Sequence, residues 1–543
     1  MSIRPETLED ESSGSLSAGD EVRSRPAPHE RNPIVRNVLS GWTVMIASLA
    51  YGLVITPLVV KTLHAELYGV WSFLNSLIAY SDLLYLGLGS ALVRNVARYR
   101  VTGDTGSMNR LLSVVVGIYV LLGTVCLIAM IGVSTVAPRF FAEGLSEHAR
   151  WGAQYTCWFL GLRLFLLFSA SGFSGLVAGH ERYDLLNGVS LCGTVLRFLT
   201  IPAAMKFADP LLGLAATTTA VALGEALAIG SIAFIVRPNL RMRLAWPHFD
   251  ELKLLYGFGL QSFFIVLAVK LISYTDTTVI GVMLGASSVT LYTLPLQLVE
   301  YSRGPIGGVT GVFLPRLTVL VTQNDTAALR EAFLRATRFA GFLSGWSTAT
   351  VMTLGVPFLA LWVGREFTAD AQWLLVFLGL ASFCQTFSIH IPFGFYQALH
   401  ALRFPAMILV CEGLLNLVLS MWLASRMGLV GVALSTLVPA LFVSAAVLPP
   451  YLCRRLSVSL TEYLRSGLVP GITALIGTLG FQLALNWFLP VTGYPMLAMR
   501  ALLTIVPAAV MFKVTFPPED SQRVIDEMRQ ARTVVQRLAG SLG

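Results

Sequence analysis

Stretches of apolar residues long enough to cross a bilayer follow one another along nearly the whole chain. A transmembrane helix needs about 20 mostly apolar residues, and about fourteen stretches qualify. They lie near 38–60, 69–93, 111–133, 154–177, 184–205, 211–236, 255–283, 288–314, 337–362, 372–398, 404–424, 428–451, 466–488 and 495–515. Short turns such as 206–210 and 284–287 make neighbours antiparallel, and no connection is long enough for an independent extramembrane domain. Only 13% of the 543 residues are charged and 55% are hydrophobic. A soluble domain carries roughly 25% charged residues. A chain this poor in charge cannot build a water-facing shell, so lipid is its solvent. The expected fold class is all-α: a polytopic membrane protein of about 14 transmembrane helices.

Within that series, residues 56–112 and 277–333 read as one piece of chain written twice, 221 positions apart. Thr56, Leu63, Ala65, Tyr80, Gly87, Asp104 and Thr105 recur as Thr277, Leu284, Ala286, Tyr301, Gly308, Asp325 and Thr326. Trp71-Ser72 becomes Tyr292-Thr293, and Asp82 falls opposite Arg303. Two similar halves are a common plan of transporters, whose halves rock about a central site. Six spans separate the copies, so both enter the membrane in the same direction, as in parallel repeats. The expected organisation is a disordered cytoplasmic tail (1–35), two pseudo-symmetric six-helix bundles (36–245 and 246–455), two further transmembrane helices (456–515) and a cytoplasmic amphipathic tail (516–543).

Lys and Arg set the orientation. With the N-terminus in the cytoplasm, the inner loops hold Arg94, Arg98, Arg100 and Arg110, then Arg182, Arg237, Arg241, Arg243 and Lys253, then Arg316, Arg330, Arg335 and Arg338, then Arg403, Arg454, Arg455 and Arg465. The outer loops hold Lys61, Arg139, Arg150, Lys206, Arg365 and Arg426. This bias supports an even number of spans, with both termini inside. The net charge of +8 follows the membrane and is no nucleic-acid signal. Residues 519–539 read as a short amphipathic helix on the membrane face or on the protein. Cys126, Cys157, Cys192, Cys384, Cys411 and Cys453 have no paired or metal-like spacing and read as free thiols.

Charges inside spans cost roughly 2.5–3.5 kcal/mol each at a helix centre and normally face the bundle interior or a wet cavity. The cations are Arg163, Arg197, Lys270 and Arg303; the acids are Asp82, Glu225, Asp276, Glu300 and Glu412. Helical spacing places Asn187, Ser190, Thr194 and Arg197 on one stripe, and Lys270, Ser273, Tyr274 and Thr277 on another. Ser72, Asn75 and Asp82 line one side of the second span. Two readings stand side by side. In one, Arg163, Arg197, Lys270 and Arg303 form a cationic cavity for an anionic headgroup, because guanidinium forks and ammonium groups hold phosphate oxygens. Asn75, Asp82, Asp276 and Glu300 then serve the cavity, a gate or ion coupling. In the other, Glu300 and Arg303, three apart, neutralise each other, and Asp82 locks onto a neighbouring cation. Asp276 sits near the outer end of its span, an interfacial alternative. Glu225 and Glu412 read as helix–helix hydrogen bonders. Arg500 reads as snorkelling to the outer interface. Pro202, Pro295, Pro305, Pro392 and Pro439 interrupt spans, and the eighth span, with two of them around Glu300 and Arg303, is the candidate moving element.

The run Asp82-Leu83-Leu84-Tyr85-Leu86-Gly87-Leu88-Gly89-Ser90-Ala91-Leu92-Val93-Arg94, followed by Arg98, resembles the end of the second span in polysaccharide-export flippases of the Wzx type. Pro57, Leu63 and Tyr68-Gly69-Val70-Trp71 resemble the first hairpin of the same proteins. These belong to the multidrug/oligosaccharidyl-lipid/polysaccharide exporter superfamily, with lipid II flippases and MATE drug exporters. Motif content is concentrated in residues 50–100. The resemblance implies alternating access by two bundles in a bacterial cytoplasmic membrane. It implies an undecaprenyl-pyrophosphate-linked oligosaccharide as cargo, membrane lipids around it, and a polysaccharide polymerase and chain-length regulator as partners. It implies no cofactor. The motif does not supply the four cations, which rest on the helix reading alone.

Other classes predict other residues. A cation-coupled drug exporter predicts carboxylates dominating the cavity, and here cations are at least as prominent. A lipid II flippase fits the span number equally. A membrane glycan polymerase or ligase needs a sizeable outer loop with catalytic residues; the longest, about 134–153, is short and has no such set. No phosphate loop or nucleophile constellation occurs, so an enzyme is not expected.

Overall fold

The computed structural model describes residues 33–85, 87–136, 145–238, 240–242, 259–304, 306–307, 317, 319–518 and 522. The expected N-terminal tail and most of the C-terminal amphipathic helix lie outside these residues, as do Arg243, Lys253, Pro305, Gly308 and Arg316. The described residues form helices and no strand. Among the described residues, eleven helical segments are long and apolar enough to cross a membrane. Two of these segments, Ser40–Tyr85 and Arg403–Arg455, contain a sharp reversal, at His64 and Gly428. Helix Ala286–Ser302 adds a further apolar segment of 17 residues.

In chain order the helices are α1 (Pro33–Ala79), α2 (Leu88–Thr102), α3 (Thr105–Val136), α4 (Glu147–Gly179), α5 (Tyr183–Ala204), α6 (Pro210–Val236), α7 (Gly259–Leu284), α8 (Ala286–Ser302), α9 (Thr326–Trp362), α10 (Ala371–Gln385), α11 (Pro392–Ala398), α12 (Arg403–Phe442), α13 (Leu448–Arg455), α14 (Leu460–Tyr463), α15 (Val469–Phe488), α16 (Tyr494–Leu503) and α17 (Ile505–Thr515). A tight 3₁₀ turn, Tyr80–Tyr85, extends α1. Helices α3, α4, α5 and α6 pack on one another and on α1; α7, α9, α10 and α12 form a second group, with α15 against α9 and α17 against α15.

The repeat specifies the same local chemistry twice. Asp104 and Asp325 cap α3 and α9: each carboxylate accepts a backbone N–H three residues on, from Ser107 and Ala328, both at 2.9 Å. The tight turns also coincide. His64 (φ 56°, ψ −177°) and Gly285 (φ 88°, ψ 169°) are equivalent positions with similar backbone angles. That region suits glycine and strains any side chain. His64 holds it because the helices on either side are packed in place.

Where the halves meet, the repeated hairpins face each other. The arm of α1 before His64 lies along α8, and the arm after it lies along α7. One ladder of contacts runs Ala65–Thr290 (2.6 Å), Thr56–Gln297 (3.4 Å) and Gly52 against the Tyr301 ring. The other runs Gly69 against the Ala286 carbonyl, Ser76–Thr278 (3.4 Å), Tyr80–Thr275 (3.2 Å) and Asp82–Lys270 (2.6 Å). Shifted by 221 positions, each ladder falls close to the other, to within about two residues along the chain. The internal repeat therefore builds the junction between the halves.

Both ladders begin at the end of the molecule that carries the turns at His64, Gly285 and Gly428. Trp362 reinforces that end, its indole N–H donating to the Leu53 carbonyl at 2.6 Å. Trp42, Trp151, Trp158, Trp373, Trp422 and Trp487 are exposed. The opposite end carries Arg94, Arg98, Arg100, Arg182, Arg330, Arg403 and Arg455.

Three spans contain a π turn: Thr386–His390, Val443–Val447 and Leu464–Leu468. Each ends two residues before a proline, Pro392, Pro449 or Pro470. Proline lacks the N–H that would bond four residues back, and widening the preceding turn relieves the ring clash.

One expectation is corrected here. Arg500 does not snorkel to an interface; it is 1% exposed. Its guanidinium donates to the Gln482 side chain and carbonyl at 2.8–3.0 Å and to Asn486 Oδ1 at 2.8 Å. The last two turns of α15 supply these acceptors, so the charge is buried against protein.

Candidate functional site: a polar cavity between the halves

A cavity of about 640 Å³ opens between the two groups of helices. Its walls come from four places: Trp71, Ser72, Asn75 and Asp82 of the α1 region; Leu160, Arg163, Leu164 and Leu167 of α4; Lys270, Ser273, Tyr274 and Thr277 of α7; and Thr293, Leu296, Gln297 and Glu300 of α8. A volume in this range suits a ligand group of drug-like size. A narrow second space of about 20 Å³ shares Ser273, Leu296 and Glu300 with it and reaches Asp276, Arg303, Gln385 and Thr436.

Lys270 is 12% exposed at its side chain and lies 2.6 Å from Asp82, which is 51% exposed. The Lys270 ammonium also sits 4.8 Å from the centre of the Tyr274 ring. The pair joins α7 of one half to the end of α1 in the other. Arg303 is held within its own half. It donates to Glu300 at 2.6 Å, to Ser382 Oγ at 2.8 Å and to Gln385 Oε1 at 3.1 Å. The two pairings weighed in the sequence, Glu300 with Arg303 and Asp82 with a neighbouring cation, are both present.

Arg163 reaches the cavity from α4, and its buried Nε has no hydrogen-bond partner. Asn75 donates to the Trp71 carbonyl at 2.8 Å. Arg197 is placed differently from the sequence expectation, because it lines neither space. It bonds Glu225 of α6 at 2.6 Å. Gly193 makes room for that carboxylate: a Cβ there would lie 1.7 Å from Glu225 Oε1. The Arg197–Glu225 pair lies within electrostatic reach of Arg163.

Asp276 is not interfacial; it is 4% exposed. Its carboxylate accepts from Tyr292 at 2.7 Å, Ser420 at 2.9 Å and Thr436 at 2.5 Å. Glu412 is also buried, and its Oε2 has no hydrogen-bond partner, so it is not the helix–helix hydrogen bonder the sequence indicated at that oxygen. The partners Ser382, Gln385, Ser420 and Thr436 escaped the sequence reading. A signal was there to find them: Ser382, Gln385 and Thr386 share one helix face, as do Glu412, Asn416 and Ser420 at successive i, i+4 spacing.

The cavity therefore carries the Arg163 guanidinium on one half and the Lys270 ammonium, paired with Asp82, on the other.

Residues 58–372 match the model of a family described as polysaccharide biosynthesis protein. The chain belongs to that family. Another of its relatives is an uncharacterized membrane protein, EpsK, of Bacillus subtilis, 23% identical over 511 residues, spanning 92% of this chain and 99% of that one. Among solved structures, an inward-facing MATE multidrug resistance transporter of the MOP superfamily aligns with a TM-score of 0.67 at 16% identity, over 79% of this chain and 99% of its own. The lipid II flippase MurJ, in an inward closed conformation, aligns with a TM-score of 0.66 at 14% identity, over 88% and 98%. This polysaccharide biosynthesis protein thus has the MATE and MurJ fold, and it is a multi-span membrane protein.

Proposed function

We propose that this protein is a flippase that moves an undecaprenyl-pyrophosphate-linked oligosaccharide from the inner to the outer leaflet of a bacterial cytoplasmic membrane, for surface polysaccharide biosynthesis. The observation that carries the reading is the placement of Arg163 and Lys270 on opposite walls of one cavity between the halves. A diphosphate can span two such groups, with guanidinium forks gripping its oxygens and the ammonium adding a point charge. Ser72, Asn75, Ser273 and Gln297 supply neutral hydrogen-bonding groups for sugars. The family membership and the MurJ-like fold support the same class of cargo.

In this reading both termini are cytoplasmic and the arginine-rich end faces the cytoplasm. The ladders then close the outer end, and the cavity is reached from inside. Rocking of the halves opens the outer end and closes the inner. Energy comes without nucleotide: Asp276, approached by the narrow space beside Arg303, is the coupling group for a proton or a monovalent cation. Polymerase and chain-length regulator proteins consume the product. The protein performs no covalent chemistry of its own.

The test is depletion in cells. Lipid-linked oligosaccharide should accumulate on the cytoplasmic leaflet, and alanine at Arg163 or Lys270 should reproduce the block. Normal delivery to the outer leaflet in depleted cells would sink the reading.

A further inference from the structure

Three ion pairs stand in or beside the cavity, and they differ in what their rupture would do. Arg197–Glu225 joins neighbouring helices of one half, and Glu225 is only 14% exposed at its side chain. Taking its cation away would strand a buried carboxylate. Arg303–Glu300 lies within one helix and its cap, and Ser382 and Gln385 hold the guanidinium as well. Asp82–Lys270 is different on both counts. It crosses between the halves, and the Asp82 side chain is 51% exposed, so a displaced carboxylate returns to water.

That pair is also the last rung of its ladder on the cavity side, below Tyr80–Thr275 and Ser76–Thr278. At the matching position of the other ladder, 221 residues away from each partner, Arg303 and Leu49 stand in place of Asp82 and Lys270. The second ladder thus has no ionic rung there.

We propose that Asp82 is a resident counter-anion which the cargo's diphosphate displaces from Lys270, so that binding the headgroup itself unties the halves. This deepens the flippase reading and rests on it. A diphosphate offers more charge and more oxygens than one carboxylate, and Arg163, which lines the opposite wall, draws it across the cavity. A ligand shifts a conformational balance only through what it does differently in the two states. Breaking an inter-half contact on entry is such a difference. A group with a single negative charge, satisfied by Arg163 alone, leaves the rung intact, so the exchange also selects for diphosphate over simpler anions.

The test is calorimetric titration of the purified full-length protein with inorganic pyrophosphate. Asp82→Asn is expected to bind it about 10-fold tighter than wild type, a coupling of ordinary size. Lys270→Gln should bind it more weakly, and Lys270→Arg, which keeps the cation, should restore binding. The double variant Asp82→Asn/Lys270→Gln should match Lys270→Gln alone, because Asp82 acts through Lys270. An equal gain from Asp82→Asn in both backgrounds would mark mere removal of negative charge and overturn the proposal. So would no gain at all, wild-type affinity in Lys270→Gln, or pyrophosphate that binds neither wild type nor Asp82→Asn. Glycan export by cells is a separate readout. Export by wild type without this exchange removes the exchange and keeps the flippase reading; exchange without export does the reverse.

Discussion

The Thr290 hydroxyl donates to the Ala65 carbonyl at 2.6 Å, and its counterpart 221 positions earlier, Gly69, lies against the carbonyl of Ala286, the counterpart of Ala65. Each half offers a carbonyl at one position and receives its partner's carbonyl at the other. Such reciprocity is the signature of a two-fold contact, here written into a single chain.

Gly69 has no room for a side chain: a Cβ there would lie 1.8 Å from the Ala286 carbonyl oxygen. Gly69→Ala is expected to force the halves apart at this end and to cost about 1–3 kcal/mol, the usual range for overpacking. Thermal unfolding in detergent checks it, and an unchanged midpoint would count against the close packing described.

His64 occupies a backbone region that its repeat partner fills with glycine. His64→Gly should relieve strain and raise stability by roughly 1–3 kcal/mol. A lowered midpoint in the same unfolding experiment would mean that the His64 side chain contributes more than its backbone costs.

Asp276 is expected to separate structure from coupling. Asp276→Ala leaves the hydroxyls of Tyr292, Ser420 and Thr436 without their shared acceptor and should cost about 1–3 kcal/mol. Asp276→Asn keeps an acceptor and should fold, yet lose the dependence of transport on an ion gradient. Gradient-driven transport by folded Asp276→Asn would remove this residue from the coupling role.

Arg500 is a buried charge whose neutralisation rests on hydrogen bonds rather than on a carboxylate. Gln482→Leu should destabilise by roughly 3–5 kcal/mol, because it strands the guanidinium. Gln482→Leu/Arg500→Leu should recover much of the loss, since both polar partners are then gone. Double-mutant unfolding that shows simple additivity would contradict the pairing.

Much of this architecture was legible in the residues. The spans and the repeat follow from hydropathy and seven recurring identities, because a bilayer leaves a chain few choices. Asn75, Asp82, Lys270 and Glu300 could be placed on wet faces because polar neighbours at helical spacing marked them. Arg197 misled for the same reason: its stripe is real, but a glycine one turn away lets Glu225 take it up. Arg500 misled because nothing in its own span shows that Gln482 and Asn486 wait on the preceding helix. Apart from Asp82–Lys270, whose acid the sequence set against a neighbouring cation, the inter-half rungs went unmarked, because a Thr, Ser, Tyr, Gln or Gly on a helix face does not name its partner.

The most direct measurement of alternating halves uses proteoliposomes loaded with an undecaprenyl-pyrophosphate-linked oligosaccharide and the variant Ala65→Cys/Thr290→Cys. With the thiols reduced, the labelled sugar should reach the opposite leaflet at the rate of wild type. Oxidation ties the two halves at their closed end and should stop transport, and reduction should restore it. Transport that continues unchanged through the cross-linked protein would contradict the account.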